Sequence, residues 1–247
     1  MALRLLLTCL VFVPAVALKA ADVQPLRICM LSACAEYESD KSLGEFQGFL
    51  ETNYQVVCQC VFGKDKGDDL PGLESLDRAD LMILFTRRVT LTPEHLALLK
   101  KYIASGRPII GIRTASHAFK DYPEFDHDIL GGGYKGHYSN SVAHVFVAPG
   151  RSAHPILAGV TSFDSRKLYK NPTLADDDEV LLEASIPGHV EPVAWARNHA
   201  GRRVFYTSLG VQEDFKQKSF RRLLVNAIFW TTQCDEAGSR RPADRRQ

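Results

Sequence analysis

Short apolar runs alternating with amphipathic stretches dominate the first half of the chain. Leu26–Ser32, Tyr54–Phe62, Asp80–Phe85 and Pro108–Ile112 are each five to nine residues long and rich in Ile, Leu, Val and Phe. A strand that is apolar along its whole length must be covered on both faces, so these runs point to a parallel sheet between helical layers. The stretches between them carry the helical period. Lys41–Thr52 places Leu43, Phe46, Phe49 and Leu50 on one face. Thr92-Pro93-Glu94 has an N-cap residue followed by a proline suited to the first helical position. Leu96, Leu99 and Ile103 continue that helix, and Gly106 ends it. Leu73–Ala79 is a connector. Ligands of such sheets gather at the carboxyl ends of the strands. Here those ends are Ser32–Tyr37, Thr86–Arg88 and Arg113–His117.

The second half is less regular. Phe119–Tyr138 is loop-rich and dense in aromatic, Asp, His and Gly residues. Val142–Ala148 and Glu179–Ala184 have strand character. Pro192–Ala196 and Arg203–Ser208 form a hairpin turning at Asn198–Gly201, and Lys218–Thr232 is a closing amphipathic helix. With no internal repeat and no linker, one domain over residues 21–236 is expected.

The two ends differ from this body. Arg4, the apolar run Leu5–Leu18 and the small residues Ala15, Ala17, Ala20 and Ala21 have the order of a secretory signal peptide, expected over residues 1–20. The protein is therefore expected to be secreted or periplasmic, with no membrane insertion after cleavage. Residues 237–247 are polar and Arg-rich, and are expected to be a disordered tail. A formal charge of +1 gives no reason to expect a nucleic-acid partner. Beyond Cys9, five cysteines remain, at 29, 34, 58, 60 and 234. Buried free thiols are one reading and a bridge such as Cys34 to Cys60 is the other.

Chemistry concentrates in two segments. The first is the turn Gly111-Ile112-Arg113-Thr114-Ala115-Ser116-His117, where a buried strand enters an elbow that presents a side chain above the sheet. The Gly-x-Ser-x-Gly pattern of hydrolases is absent. Ser116 and His117 are adjacent, and neighbours on a tight turn generally point apart, so Ser116 reads better as a helix cap than as half of a dyad. Arg113 and exposed backbone N–H groups suit an anion or a polarised carbonyl. The second segment is Gly131-Gly132-Gly133-Tyr134-Lys135-Gly136-His137-Tyr138. It does not open a helix after a strand, so it is no dinucleotide loop. Its glycines permit tight turns near a ligand, and Tyr134, His137 and Tyr138 suit sugar stacking or packing of the loop itself. His117, Asp126, His127 and His137 could form a metal site, but their spacing matches no ligand motif.

Seven segments in order resemble the trehalose-utilisation (ThuA-like) family. They are Gly111–His117, Leu130–Gly133, His154–Val160, Leu168–Pro172, Pro192–Trp195, Gly201–Gly210 and Phe220–Trp230. The resemblance spans nearly all of residues 21–236. It implies an α/β, flavodoxin-like three-layer sandwich with a mostly parallel central sheet and helices on both faces, as in class I glutamine amidotransferases. In those enzymes a nucleophilic Cys occupies the place of Arg113, and a general-base His would fall at Val211. Glu213, with Asp214 beside it, stands near the third triad position. A thiolate mechanism needs both nucleophile and base, so glutaminase activity is not expected.

The resemblance implies a carbohydrate ligand, a sugar or keto-sugar; no cofactor and no metal are expected. If the chain is an enzyme, Arg113 would polarise a carbonyl, His117 or His137 would move a proton, and Glu213 or Asp214 would orient it. Thr114, Ser116, Tyr134, Tyr138 and Ser208 would bind substrate. Homo-oligomerisation is compatible with the sequence. The alternatives are a non-catalytic binding or accessory module and a metal-dependent hydrolase.

Overall fold

The computed structural model describes residues 24–241. The expected signal peptide lies outside them, as do residues 242–247 of the expected tail. Nine strands form one sheet: β1 (Leu26–Ala33), β2 (Val56–Phe62), β3 (Leu81–Thr86), β4 (Ile109–Ile112), β5 (Val142–Val147), β6 (Phe163–Arg166), β7 (Asp178–Ile186), β8 (His189–His199) and β9 (Arg202–Thr207). The longer helices are α1 (Ser39–Asn53), α2 (Pro93–Ala104) and α3 (Lys218–Thr232), followed by the short α4 (Glu236–Ser239). Thr92 caps α2, its Oγ1 accepting from His95 N at 3.2 Å, as the Thr-Pro-Glu start requires.

The strand order is β2-β1-β3-β4-β9-β8-β7-β5-β6. A mostly parallel sheet is therefore only half right. The four ladders from β2 to β9 are parallel, and the four from β9 to β6 are antiparallel. Local turns cause the change. Ala200 and Gly201 both have positive φ, 49° and 77°, the backbone of a two-residue hairpin loop, so β8 must run against β9. The architecture is α/β with a mixed sheet.

Two apolar cores flank the sheet. On one face Leu43, Phe46 and Leu50 of α1 meet Phe220, Leu223 and Ile228 of α3. On the other, Leu99, Tyr102 and Ile103 of α2 pack with Leu31, Met82, Trp195 and Tyr206. Together they hold the parallel strands so that their carboxyl ends share one rim. β2 lies at the sheet edge, and α1 covers it. Cys58 N donates to Glu51 Oε1 at 2.8 Å, and Gln47 Nε2 donates to Cys58 O at 3.2 Å. The backbone N–H and C=O of Cys58, which could recruit another strand, are thus occupied.

All five described cysteines are free thiols, with Cys29, Cys34 and Cys58 buried and Cys234 exposed. The start of the expected tail is ordered through Arg241. Asp235 caps α4 by accepting from Ala237 N and Gly238 N, and Arg241 N donates to Asn53 O at 2.9 Å. Among the described residues no helix is long and apolar enough to cross a membrane.

Candidate functional site

β4 ends in a tight 3-10 turn, Arg113–His117. Arg113 enters it with φ +49°, a left-handed conformation that costs an ordinary residue about 1–2 kcal/mol. Three more non-glycine residues with positive φ border the same rim: Glu38, Arg88 and Lys167, at 47°, 51° and 55°. Backbone strain of this kind clusters at functional sites. Gly210, φ +123°, allows the loop after β9 to close on the elbow, because a Cβ there would lie 2.7 Å from Ile112 Cγ2.

The elbow's first side chain turns inward. Arg113 is 1% exposed. Its Nη1 donates to Ser208 O at 2.7 Å, and its Nη2 donates to Lys167 O at 3.1 Å and to the Tyr37 hydroxyl at 3.2 Å. The guanidinium lies 4.1 Å from the ring centre of Tyr37 and 4.6 Å from that of Tyr169. Its backbone carbonyl accepts from the Tyr206 hydroxyl at 2.7 Å. Arg113 thereby ties the carboxyl ends of β1, β4, β6 and β9 together. Thr114 and Ser208 are buried beside it.

The turn's last side chain faces outward. His117 is half-buried and its ring stacks on Tyr134, centroids 4.6 Å apart and planes 17° apart. Tyr134 in turn lies 4.5 Å from Tyr169. His117 Nδ1 is 3.0 Å from Ser116 Oγ. The expectation that these neighbours point apart is thus overturned, because the 3-10 turn brings both side chains to one side. Ser116 Oγ also reaches Arg113 O at 3.3 Å rather than capping a helix. Burial, followed by the charges of Arg88 and Arg87, pushes the His117 imidazole down to about 4, so it is neutral at physiological pH.

Charged groups surround this ring pair. Glu36 meets Arg87 at 3.1 Å and Lys167 at 3.2 Å, and Arg87 also meets Asp65 at 3.3 Å. Burial opposes ionisation of Glu36, but hydrogen bonds from Lys167 and Tyr37 and the Arg87 charge hold it below the usual carboxylate range. A cavity of about 250 Å³ opens among Glu36, Tyr37, Lys167, Val211 and Glu213. Glu213 is exposed on its wall. Asp214 instead points into the fold, its Oδ2 accepting from Ser165 Oγ, Gly210 N and Val211 N at 2.8–3.1 Å. Burial raises its pKa above the ordinary value.

The glycine run serves packing against buried acids. A Cβ on Gly131, φ +81°, would strike the Asp178 carboxylate, and one on Gly132 would strike that of Asp126. Asp126 Oδ2 accepts from Tyr134 N at 3.0 Å and so sets the ring that stacks on His117. His137 is exposed, its Nδ1 donating to Tyr138 O at 2.7 Å. Tyr138 joins a different group: its hydroxyl donates to Glu191 at 2.7 Å and its ring lies 4.4 Å from His189. His127 is exposed against Asp128, so the four residues weighed for a metal do not converge. Among the described residues no three His, Cys, Asp or Glu side chains are grouped to hold a metal ion.

The strand-end rule points to Glu36, Tyr37, Arg87 and Arg88 but gives them no roles. Lys167 and Tyr169 escape it because β6, which leads into them, is four residues long and polar at three of them.

Comparison with known proteins places these features in a family. The profile for trehalose utilisation, ThuA, matches residues 45–231. No curated protein matches the chain. Among solved structures, a protein from Bacteroides uniformis described as ThuA-like superposes with a TM-score of 0.66 at 18% identity, covering 90% of this chain and 98% of that one. Another so described, from Parabacteroides merdae, gives 0.65 at 15% identity, over 84% and 90% of the two chains. A Thermoplasma acidophilum protein described as belonging to a GMP synthase gives 0.54 at 14% identity, over 85% and 95%. At these identities the likeness is one of fold. With an elbow-bearing mixed α/β sheet and a profile match over three quarters of its length, the chain belongs to the trehalose-utilisation (ThuA) family.

Proposed function

We propose that this ThuA-family protein binds a small polyhydroxylated molecule, a sugar or keto-sugar, in the crevice beside His117. The observation that carries the reading is the outward His117–Tyr134 ring pair at the carboxyl end of β4, with the charge of Glu36 close to it; Glu36 also lines the neighbouring cavity with Lys167 and Glu213. Aromatic faces cover the C–H surface of a sugar, while carboxylates and an ammonium meet its hydroxyls. A neutral imidazole is also the form able to accept a proton from a carbon beside a carbonyl. Arg113 acts as a positioning residue, holding Tyr37 and Lys167 at the crevice floor. Covalent glutaminase chemistry is disfavoured by Arg113 and Val211 at the nucleophile and base positions. The order β2-β1-β3-β4-β9 supports a flavodoxin-like, amidotransferase-related origin for the parallel half. The segment from Arg4 to Ala21 supports export to the periplasm or outside the cell.

The complete enclosure of Arg113 favours a second reading, a binding module without turnover. Thermal unfolding with a panel of sugars, sugar acids and keto-sugars tests the first. A ligand that raises the transition in wild type but not in His117→Ala supports it, and no response across the panel refutes it. An NMR time course of the stabilising ligand then separates conversion from binding alone.

A further inference from the structure

A groove on the outer side of the helical layer is cationic without serving the crevice. It is a cavity of about 670 Å³ between α1, α3 and the segment that follows α4. Lys218, Arg221, Arg222, Arg240 and Arg241 line it, and no Asp or Glu does. The fold itself brings these side chains together. Arg241 N donates to Asn53 O at 2.9 Å and its Nε donates to Tyr54 O at 2.8 Å, which docks the segment after α4 against the end of α1. The first turns of α3 supply Lys218, Arg221 and Arg222. One carboxylate meets the group. Glu236 accepts from Arg222 at 2.6 and 2.7 Å and from Arg240 at 2.6 Å. Among the described residues Lys218, Arg221 and Arg241 have no ion pair.

Like charges held this close repel one another, and an entering counter-charge relieves the repulsion. The cations are also held in place beforehand. The Arg221 guanidinium lies 5.4 Å from the ring centre of Phe49, and that of Arg240 lies 5.9 Å from the ring centre of Tyr54. Arg222 Nε donates to Ala158 O at 3.3 Å. Side chains ordered before binding lose less freedom on binding. The charge count selects the ligand. Glu236 offsets one of the five cations, which leaves four. A single carboxylate answers one of these. A phosphate carries about −1.5 to −2 and matches the donor fork of arginine, so two neighbouring phosphates answer nearly all of them.

We infer that this groove binds a molecule carrying two neighbouring phosphate groups, as a free anion or as a lipid headgroup. It shares no lining residue with the cavity beside Glu36 and Glu213.

Isothermal titration of the full chain with inorganic pyrophosphate, against chloride at matched ionic strength, tests the free anion. Co-sedimentation with phosphatidylcholine vesicles, with and without cardiolipin, tests the headgroup. Saturable binding in either arm supports the proposal and identifies the source. The double variant Lys218→Gln/Arg221→Gln breaks no ion pair of the fold and should bind at least about tenfold more weakly. Lys64→Gln/Lys100→Gln removes two exposed charges elsewhere and should bind as wild type does. The proposal fails if pyrophosphate gives no heat beyond the chloride control and cardiolipin adds no sedimentation. It also fails if Lys218→Gln/Arg221→Gln binds as wild type does, or if Lys64→Gln/Lys100→Gln loses as much. Should Lys218→Gln/Arg221→Gln not fold, Arg221→Gln alone takes its place.

Discussion

His117 Nδ1 and Ser116 Oγ, on consecutive residues of the elbow, stand 3.0 Å apart. The contact orients an imidazole that burial and neighbouring arginines keep neutral. Its titration midpoint, followed by NMR, is expected near 4 rather than at the ordinary 6.5. Arg88→Ala should raise the midpoint by removing a nearby positive charge. A wild-type midpoint near 6.5 would sink this account.

Arg113 is held by two carbonyls, a hydroxyl and two rings. Arg113→Met leaves Ser208 O and Lys167 O without a donor inside the fold. Chemical denaturation should show a loss of about 3 kcal/mol or more, and Arg113→Lys should not restore it. A loss within about 0.5 kcal/mol, the range expected of a surface change, would show that the guanidinium ties nothing together.

Asp126 and Asp178 press on the glycine run, and burial raises each carboxyl to about 6 from 3.8. A raised folded-state pKa means the fold binds the proton more tightly than the unfolded chain does. Each acid therefore favours folding below about 3.8, and that contribution disappears as pH rises through 6. His117 has the opposite sign: its folded pKa is lowered, so its contribution is present above 6.5 and is lost as pH falls toward 4. Relative to wild type, Asp126→Asn should gain about 2 kcal/mol in unfolding free energy between pH 4 and pH 7.5. Urea denaturation at the two pH values gives the difference. Parallel profiles for variant and wild type would contradict the assignment.

Gly131 combines φ +81° with a Cβ direction blocked by the Asp178 carboxylate. Gly131→Ala should therefore destabilise by about 2 kcal/mol or more, combining strain and collision. Gly136, also at positive φ but facing open space, should cost less when replaced by Ala. Equal losses at the two sites would mean that the carboxylate gives way freely.

Glu51 covers the edge of β2 through Cys58 N. Glu51→Ala should cost about 1 kcal/mol, and light scattering should reveal concentration-dependent association as the bare edge pairs with other chains. A variant that stays monodisperse at the highest concentrations would show that Gln47 alone suffices.

The parallel half was legible because each of its strands is apolar throughout and each helix carries its own cap or stop, as with Thr92 and Gly106. The antiparallel half was harder. β6 offers only Phe163 and Ser165 inward, too little for a periodic signal, whereas the reversal between β8 and β9 was legible as the turn at Asn198–Gly201. The elbow was visible as a position but not as a geometry. Sequence could place Arg113 and His117 on the turn. Which of them turned inward depended on the oxygens of Lys167 and Ser208, which come from distant strands.

Those distances along the chain have a kinetic consequence. The partners of Arg113 lie 76, 54 and 95 residues away, at Tyr37, Lys167 and Ser208. Closing such long loops precedes any reward from the contacts, which slows folding. During synthesis, β1, β3 and β4 can pair long before Ser208 has emerged, and until then the guanidinium of Arg113 has no settled place. The crevice floor is therefore among the last parts of the molecule to form, and a chain interrupted before β9 would have most of its parallel sheet but no site.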